Sequence, residues 1–407
     1  MSAILDKLLK GQKVEWLPLN EIVLPTKNIK WKDVDSIYQY IDLTSVDRKT
    51  NAIIETSLID KENAPSRAQK IVEHNDIIFA TTRPTQMRIA VITEELHEQI
   101  ASTGYCILRA DIKIVLPKWI YYNLSSVPFK NYLEENESGS AYPAISDTKL
   151  KEFKIPIPPL DAQAEIVRIL DAFTALTAEL TAELTAELNM REKQYQYYRD
   201  KLLTFSDNEI IWKSLGELGQ LIRGNGLQKS DFTEDGFPAI HYGQIYTFYG
   251  TFADKTKSFV SENLAKKLKK AQNGDVLLAG TSENIQDVMK PLGWLGNEIA
   301  ISGDMFAYRP NTELDTKYLT YLLQTTEFQK YKEKYAHGTK VTRLNAEKFL
   351  RFKIAIPPLD KQKRIVNILD KFEALTHSIT EGLPKEITLR KQQYEYYREQ
   401  LIDFPKN

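Results

Sequence analysis

FKIPIPPLDAQAEIVRILDAFTALT, residues 153–177, and FKIAIPPLDKQKRIVNILDKFEALT, residues 352–376, stand 199 residues apart in a chain of 407. Adjacent prolines disfavour helix before them, and Asp161 is a favourable N-cap. Behind it Ile166, Val167, Ile169, Leu170, Phe173 and Leu176 recur with the 3.6-residue period of a helix. Tyr195, Tyr198 and Leu202 carry the stripe onward. Neither Gly nor Pro interrupts Asp161 to Leu203. The pattern predicts a rod of roughly 65 Å at about 1.5 Å per residue. A helix of that length needs a partner along its face. The second copy, from Asp360 to about Leu401, is the expected partner, with Gly382 and Pro384 expected to break or kink it.

The duplication extends beyond these segments. REKQYQYYRDKLLTF at 191–205 matches RKQQYEYYREQLIDF at 390–404, again 199 residues later. NDIIFATT at 75–82 lies over GDVLLAGT at 274–281, and KWIYYNL at 118–124 over KYLTYLL at 317–323. SGSAYPAIS from Ser138 lies, more faintly, over AHGTKVTRL around His337. The start of the chain, LDKLL…VEWLPLNEI from Leu5, resembles RDKLL…IIWKSLGEL from Arg199. Two units in a circular arrangement, with the chain ends close together, would show this. Helical segments match closely and the stretches between them only in outline. Duplication with drift accounts for that, as does a common scaffold whose divergent parts read different things.

Between the two ends of the first helix, Thr-Ala-Glu-Leu occurs three times in succession, from Thr177 through Leu180 and Leu184 to Leu188. Leucines four residues apart drift about 40° per unit around the helix, so a long heptad seam is not expected. The repeat reads either as a stiff solvated rod or as a molecular ruler.

Residues of about 14–150 and 207–346 are mixed in character. DIIFATT, YCILRADIKIVL, DVLLAGT and MFAYR read as strands, and KWIYYNLSS and TKYLTYLLQTTEFQKYKEKY as helices. One α+β domain in each half is the economical reading. Candidate contact residues lie in the loops. The first half offers Lys27, Lys30 and Lys32 around Trp31, then Arg83 and Arg88 after a strand. The second offers Arg223, Asn225 and Lys229 in a Gly-rich loop, His241, Tyr242 and Gln244 near a strand end, and Lys340 and Arg343 beside His337. Arg and Lys can bond guanine, Asn and Gln adenine, and any cation a phosphate. Taken singly, each is an ordinary surface residue, and His241 could be core. Loops of this kind at corresponding places in both halves point to nucleic acid.

Composition narrows the classes. With 42% hydrophobic and 27% charged residues the chain reads as an ordinary soluble globular protein. No apolar run reaches the roughly 18 residues of a membrane span, and the N-terminus is too polar for a secretory signal. The one cysteine, Cys106, suggests the reducing cytoplasm, and the five histidines show no zinc spacing. A net charge of −1 means that any DNA face must concentrate its cations locally.

The paired PPLDxQ helix starts, the paired QYxYYR helix ends and the central Thr-Ala-Glu-Leu units resemble the DNA specificity subunits of type I restriction–modification systems, in particular the class with short repeats in the spacer. The resemblance covers nearly the whole chain. It implies an α+β fold with an internal pseudo-twofold repeat, in which two target-recognition domains are separated by two long antiparallel conserved helices. The corresponding domains here are 14–154 and 207–353. The helices are 155–206 and 354–407, and residues 1–13 complete the circular repeat. Each domain would read one half of a bipartite double-stranded DNA site. The subunit itself would be non-catalytic and hold no cofactor or metal. It would carry two modification subunits using S-adenosylmethionine and restriction subunits using ATP and Mg. Consistently, no NPPY-like methyltransferase motif and no Walker A loop occurs; RGNGLQKS has the wrong spacing. A fused methyltransferase or nuclease, or a bivalent protein-binding adaptor, are the competing readings.

Overall fold

The computed structural model describes residues 5, 8–9, 11–48, 50–206, 210–338, 340–376 and 382–405. The chain divides into two units, Met1–Thr181 with Leu389–Asn407, and Ala182–Thr388. Each unit therefore holds one globular domain, the start of the helix that follows it and the end of the helix that follows the other.

In the first unit, one sheet has the order Val23–Leu24, Tyr105–Ala110, Ile77–Ala80, Ile89–Val91, all antiparallel. A second runs Ser57–Ile59, Tyr38–Ile41, Ile100–Ser102, Ala68–Ile71, with its middle pair parallel. The second unit repeats the plan with five strands per sheet. One sheet is Gly219–Arg223, Met305–Pro310, Val276–Ala279, Pro291–Trp294, Phe252–Ala253. The other is Phe232–Thr233, Ser258–Val260, Phe237–Ile240, Ile299–Ile301, Lys270–Ala271, again with a parallel pair, Ala239 opposite Ala300.

The DIIFA and DVLLA strands are buried on both faces because successive side chains enter different cores. Ile77 and Phe79 join Trp119, Phe129 and Ile166 on the helical side. Ile78 and Ala80 join Ile41 and Ile107 on the other. Val276 and Leu278 divide from Leu277 and Ala279 in the same way.

The polar residues that recur 199 positions apart hold equivalent joints. Asp76 is buried and takes a two-pronged bond from Arg109 at 2.9 and 2.8 Å. Asp275 takes one from Arg309 at 2.9 and 2.9 Å. Gln163, fully buried, accepts from the Leu116 amide at 2.9 Å and donates to Ile114 O and Pro158 O. Gln362 accepts from the Asp315 amide at 2.8 Å and donates to Glu313 O and Pro357 O. This glutamine of PPLDxQ satisfies three backbone groups where the domain meets its helix, which explains an uncharged polar residue there. Asp171 binds Lys118 and Tyr122, both at 2.7 Å, and Asp370 binds Lys317 and Tyr321, also at 2.7 Å.

Leu160–Leu203 forms one unbroken helix, as its periodicity predicts. The second copy forms two helices, Leu359–Thr376 and Gly382–Ile402; residues 377–381 lie outside the described set. Gly382 has φ +72°, and a Cβ there would meet Leu375 O at 2.6 Å. A helix cannot run through that backbone. Pro384 sits in the following first turn, where its missing amide hydrogen costs nothing.

In the first unit Phe173 packs on Tyr397 and Thr174 bonds Tyr394, so these two helix ends run in opposite senses. Leu5 and Leu9 share a core with Leu401, Ile402 and Phe404. The Glu399 carboxylate accepts from the Val127 amide at a helix start, 3.3 Å away. In the second unit Asp200 does the same for the Thr326 amide at 3.4 Å.

Three local expectations differ. The long helix begins at Leu160, so Asp161 lies in its first turn and is not its N-cap. YCILRADIKIVL is strand only over Tyr105–Ala110, because Asp111 turns the chain by accepting from the Lys113 amide. The run 316–335 is two helices, Thr316–Leu322 and Thr326–Tyr335, the second capped by the Thr325 side chain. Among the described residues no helix is long and apolar enough to cross a membrane.

Candidate nucleic-acid interface

In the second unit three loops from distant parts of the chain meet at the end of the Val276–Ala279 sheet. Gly224 lets the first come close, since a Cβ there would lie 2.0 Å from Ser302 O. The second begins at His241, whose Nδ1 accepts from the Gly243 amide at 3.2 Å. The third is a tight loop closed by His337 and Arg343, which exchange backbone bonds of 3.0 and 2.9 Å. Arg343 also pairs through its backbone with Thr281, just beyond the buried strand.

Two adjoining clefts result. One, of about 340 Å³, is bordered by Arg223, His241, Tyr242, Gly303 and Asp304. The other, of about 420 Å³, is bordered by Arg223, His337, Arg343, Gly303 and Asp304. The structure thus brings together Arg223, His241, Tyr242 and Arg343, and Lys340 stands exposed on the third loop. Lys229 faces solvent close enough to act on His241 electrostatically. Burial first, and then the Lys229 charge, push the His241 imidazole below its ordinary pKa, which favours the neutral ring.

Two candidates are occupied by structural bonds. Asn225 accepts from the Lys269 amide at 2.6 Å and donates to Lys267 O at 3.0 Å, pinning the Gly-rich loop. Gln244 accepts from the His241 amide and donates to Ser258 Oγ, closing a capping box. The partners of Asn225 come from a distant loop, so its engagement is invisible in a one-letter pattern.

In the first unit Lys27, Lys30 and Lys32 are exposed around Trp31, whose indole is an anchor: its Nε1 donates to Ala68 O at 2.8 Å. Arg83, with φ +51°, lies over the Tyr142 ring at 5.1 Å, and its amide donates to Pro143 O. This is the same strand-to-loop junction as Thr281 with Arg343, as the Thr82–Ala144 and Ser138–Ala144 bridges show. Arg88 is half-buried and donates to Leu43 O. Among the described residues no hydrogen bond or ion pair joins the three lysines to Arg83 or Arg88.

Many cations elsewhere sit in ion pairs, such as Lys118 with Asp171 and Arg309 with Asp275. Among the described residues, Lys27, Lys30, Lys32, Arg83, Arg88, Arg223, Lys229, Lys340 and Arg343 form none. Arg223 and Arg343 border the clefts with guanidinium groups outside any ion pair, which suits a polyanion although the net charge of the chain is −1. Asp304, the acid lining both clefts, had no signal in the sequence, because its neighbours come from loops far apart in the chain.

The description "Type I restriction modification DNA specificity domain" matches residues 21–190 and again 209–389. The chain is 35% identical over 415 residues to the EcoR124I/EcoR124II type I restriction enzyme specificity subunit of Escherichia coli, covering 99% of this chain and 97% of that one. It is 29% identical over 403 residues to the EcoprrI specificity subunit of Escherichia coli, covering 93% and 92%. Among solved structures, a chain of a type I R-M system superposes with a TM-score of 0.76 at 24% identity, covering 96% and 98%. The HsdS subunit of Thermoanaerobacter tengcongensis gives 0.56 at 24%, covering 96% and 97%, which supports the same fold. With two domain matches that span most of its length and a near full-length relative above 30% identity, the chain belongs to the type I restriction–modification DNA specificity subunits.

Proposed function

We propose that each unit reads one half of a bipartite double-stranded DNA site, and that the paired helices carry the modification and restriction subunits of the complex. The observation that carries this reading is the contrast between joints and loops. Gln163 and Gln362, Asp76 and Asp275, and Asp171 and Asp370 make the same bonds in both halves. The loops at the ends of the equivalent strands differ and bear cations without ion-pair partners. A common frame with different loops is what two readers of different sequences need. In this reading Lys27, Lys30, Lys32, Arg83 and Arg88 face one half-site. Arg223, Lys229, His241, Tyr242, Lys340 and Arg343 face the other. The recognition modules are 14–154 and 207–353. S-adenosylmethionine, ATP and Mg are used by the partner subunits.

Exchange of residues 207–346 for the same region of a relative tests the modularity. The exchanged subunit, assembled with its modification subunit, should methylate DNA with one half-site changed and the other retained. An exchange that alters both half-sites refutes independent readers.

A further inference from the structure

Asp304 stands at the turn between Ile299–Ile301 and Met305–Pro310, where both clefts meet. Its counterpart in the first unit is Gly104, and the backbone serves the same purpose in each. The Gly104 carbonyl accepts from the Thr81 amide at 2.8 Å, and the Asp304 carbonyl accepts from the Gly280 amide at 2.8 Å. The fold thus uses the carbonyl of this residue and, in the first unit, manages without a side chain. The Asp304 carboxylate is exposed and makes no hydrogen bond or ion pair among the described residues. Asp76 and Asp275, by contrast, are buried and fully engaged.

A carboxylate in clefts that Arg223, His241 and Arg343 also border weakens any phosphate contact made there, because like charges repel. It is favourable on a DNA-facing surface where the DNA offers a donor. The major groove offers two amino groups, cytosine N4 and adenine N6. Adenine presents the N7 lone pair beside its amino group, which a second carboxylate oxygen would oppose. Cytosine presents the amino group without that acceptor at its side.

We propose that Asp304 is a base-reading residue of the second unit, its carboxylate accepting from the N4 amino group of a cytosine in the major groove. The inference rests on the DNA-reading function above and names one base of one half-site. Arg223 and Arg343 flank the carboxylate as phosphate or guanine contacts.

The test uses the full chain assembled with its modification subunit, as wild type and with Asp304→Asn or Asp304→Ala. Methylation is counted over duplexes randomised across the half-site read by the second unit. The wild type should require cytosine at one position. Asp304→Ala should lower discrimination at that position by about 5- to 150-fold and leave the other positions as they were. Asp304→Asn should move the preference toward adenine, which an amide can pair with at N6 and N7 together. Asn keeps the size of the side chain, and the Gly280 bond uses only backbone, so this variant should assemble. Unchanged base preferences in both variants, with or without a uniform rise in affinity, overturn the proposal and leave Asp304 a plain surface charge. A wild-type complex that selects no defined half-site instead overturns the DNA-reading function itself, so the two failures are distinguishable.

Discussion

Deleting one Thr-Ala-Glu-Leu unit, residues 181–184, should shorten the unread DNA between the half-sites. The helix Leu160–Leu203 has 44 residues, and the repeat occupies its middle. Before the repeat, Thr174 is bonded to Tyr394 in the first unit. After it, Tyr195 packs on Phe372 in the second. Residues 177–188 belong to none of the buried cores among the described residues, and Leu180, Leu184 and Leu188 are half-buried. Their removal therefore changes length and angle and leaves both buried cores with all their residues. Four residues are about 6 Å of helix and roughly 40° beyond a full turn. One base pair of B-DNA is a rise of about 3.4 Å and a twist of about 34°. Length alone allows one or two base pairs, and the angle favours one. The bases read should stay the same, because neither recognition domain is altered. Methylation of duplexes that differ only in spacer length measures the effect for the three-unit chain and the two-unit deletion. An active deletion with an unchanged spacer optimum refutes the ruler, and the repeat is then only a stiff rod.

Lys340→Ala and Arg343→Ala should weaken DNA binding while assembly with the modification subunit is retained. A uniform loss over all sequences marks a phosphate contact, and a loss of about 1–3 kcal/mol at one base marks a reader; no change in binding removes the residue from the interface. Lys332 is buried with its ammonium on the carbonyls of Gln286 and Val288, and burial pulls its pKa to about 8 despite Asp287 and Glu333. The folded value lies below the ordinary 10.5, so the unfolded chain binds more protons between the two and stability rises with pH across that window. The rise for the second unit should be about 3 kcal/mol at most, read from denaturant midpoints near pH 7.5 and pH 10, and Lys332→Met should flatten it. An equal slope in the variant contradicts this assignment.

What the sequence discloses is whatever repeats or has a period. The 199-residue offset exposes Gln163 with Gln362 as a recurring pair. Their role, satisfying three backbone groups each, appears only when the loops 114–116 and 313–315 are placed beside them. The long helix is legible because nothing breaks its stripe, and the break in its second copy because Gly382 takes a left-handed backbone. The interface is legible only in part. Cations in loops are visible as letters, but Asn225 is occupied by bonds to residues 42 and 44 positions away, and Gln244 by one 14 positions away besides its capping bond to His241. Asp304 and Lys332 escape for the same reason: an acid and a base of ordinary type become unusual only through neighbours brought in by other strands.

The exchange of helix ends between the two repeats makes a stability prediction that simple tandem domains would not share. Phe404 follows the last helix and is buried in the first unit, where it meets the Trp119 ring at 6.0 Å, and Pro405 O accepts from Trp16 Nε1. Its counterpart in the repeat, Phe205, follows the first helix and packs in the core of the second unit, with Lys361 over its ring. Phe404→Ala should therefore loosen the first unit, although most of that unit's sequence lies more than 200 residues upstream. Loss of a buried Phe costs about 3–5 kcal/mol, which is at least a 100-fold rise in exchange from globally opened amides. Hydrogen exchange of the full chain reads this directly at the two buried strands, Ile77–Ala80 and Val276–Ala279. Phe404→Ala should accelerate the first and spare the second. Phe205→Ala should do the reverse, more weakly, because Phe205 is only half-buried. If Phe404→Ala instead loosens Val276–Ala279, or both strands alike, the assignment of each helix tail to the other repeat's domain is wrong.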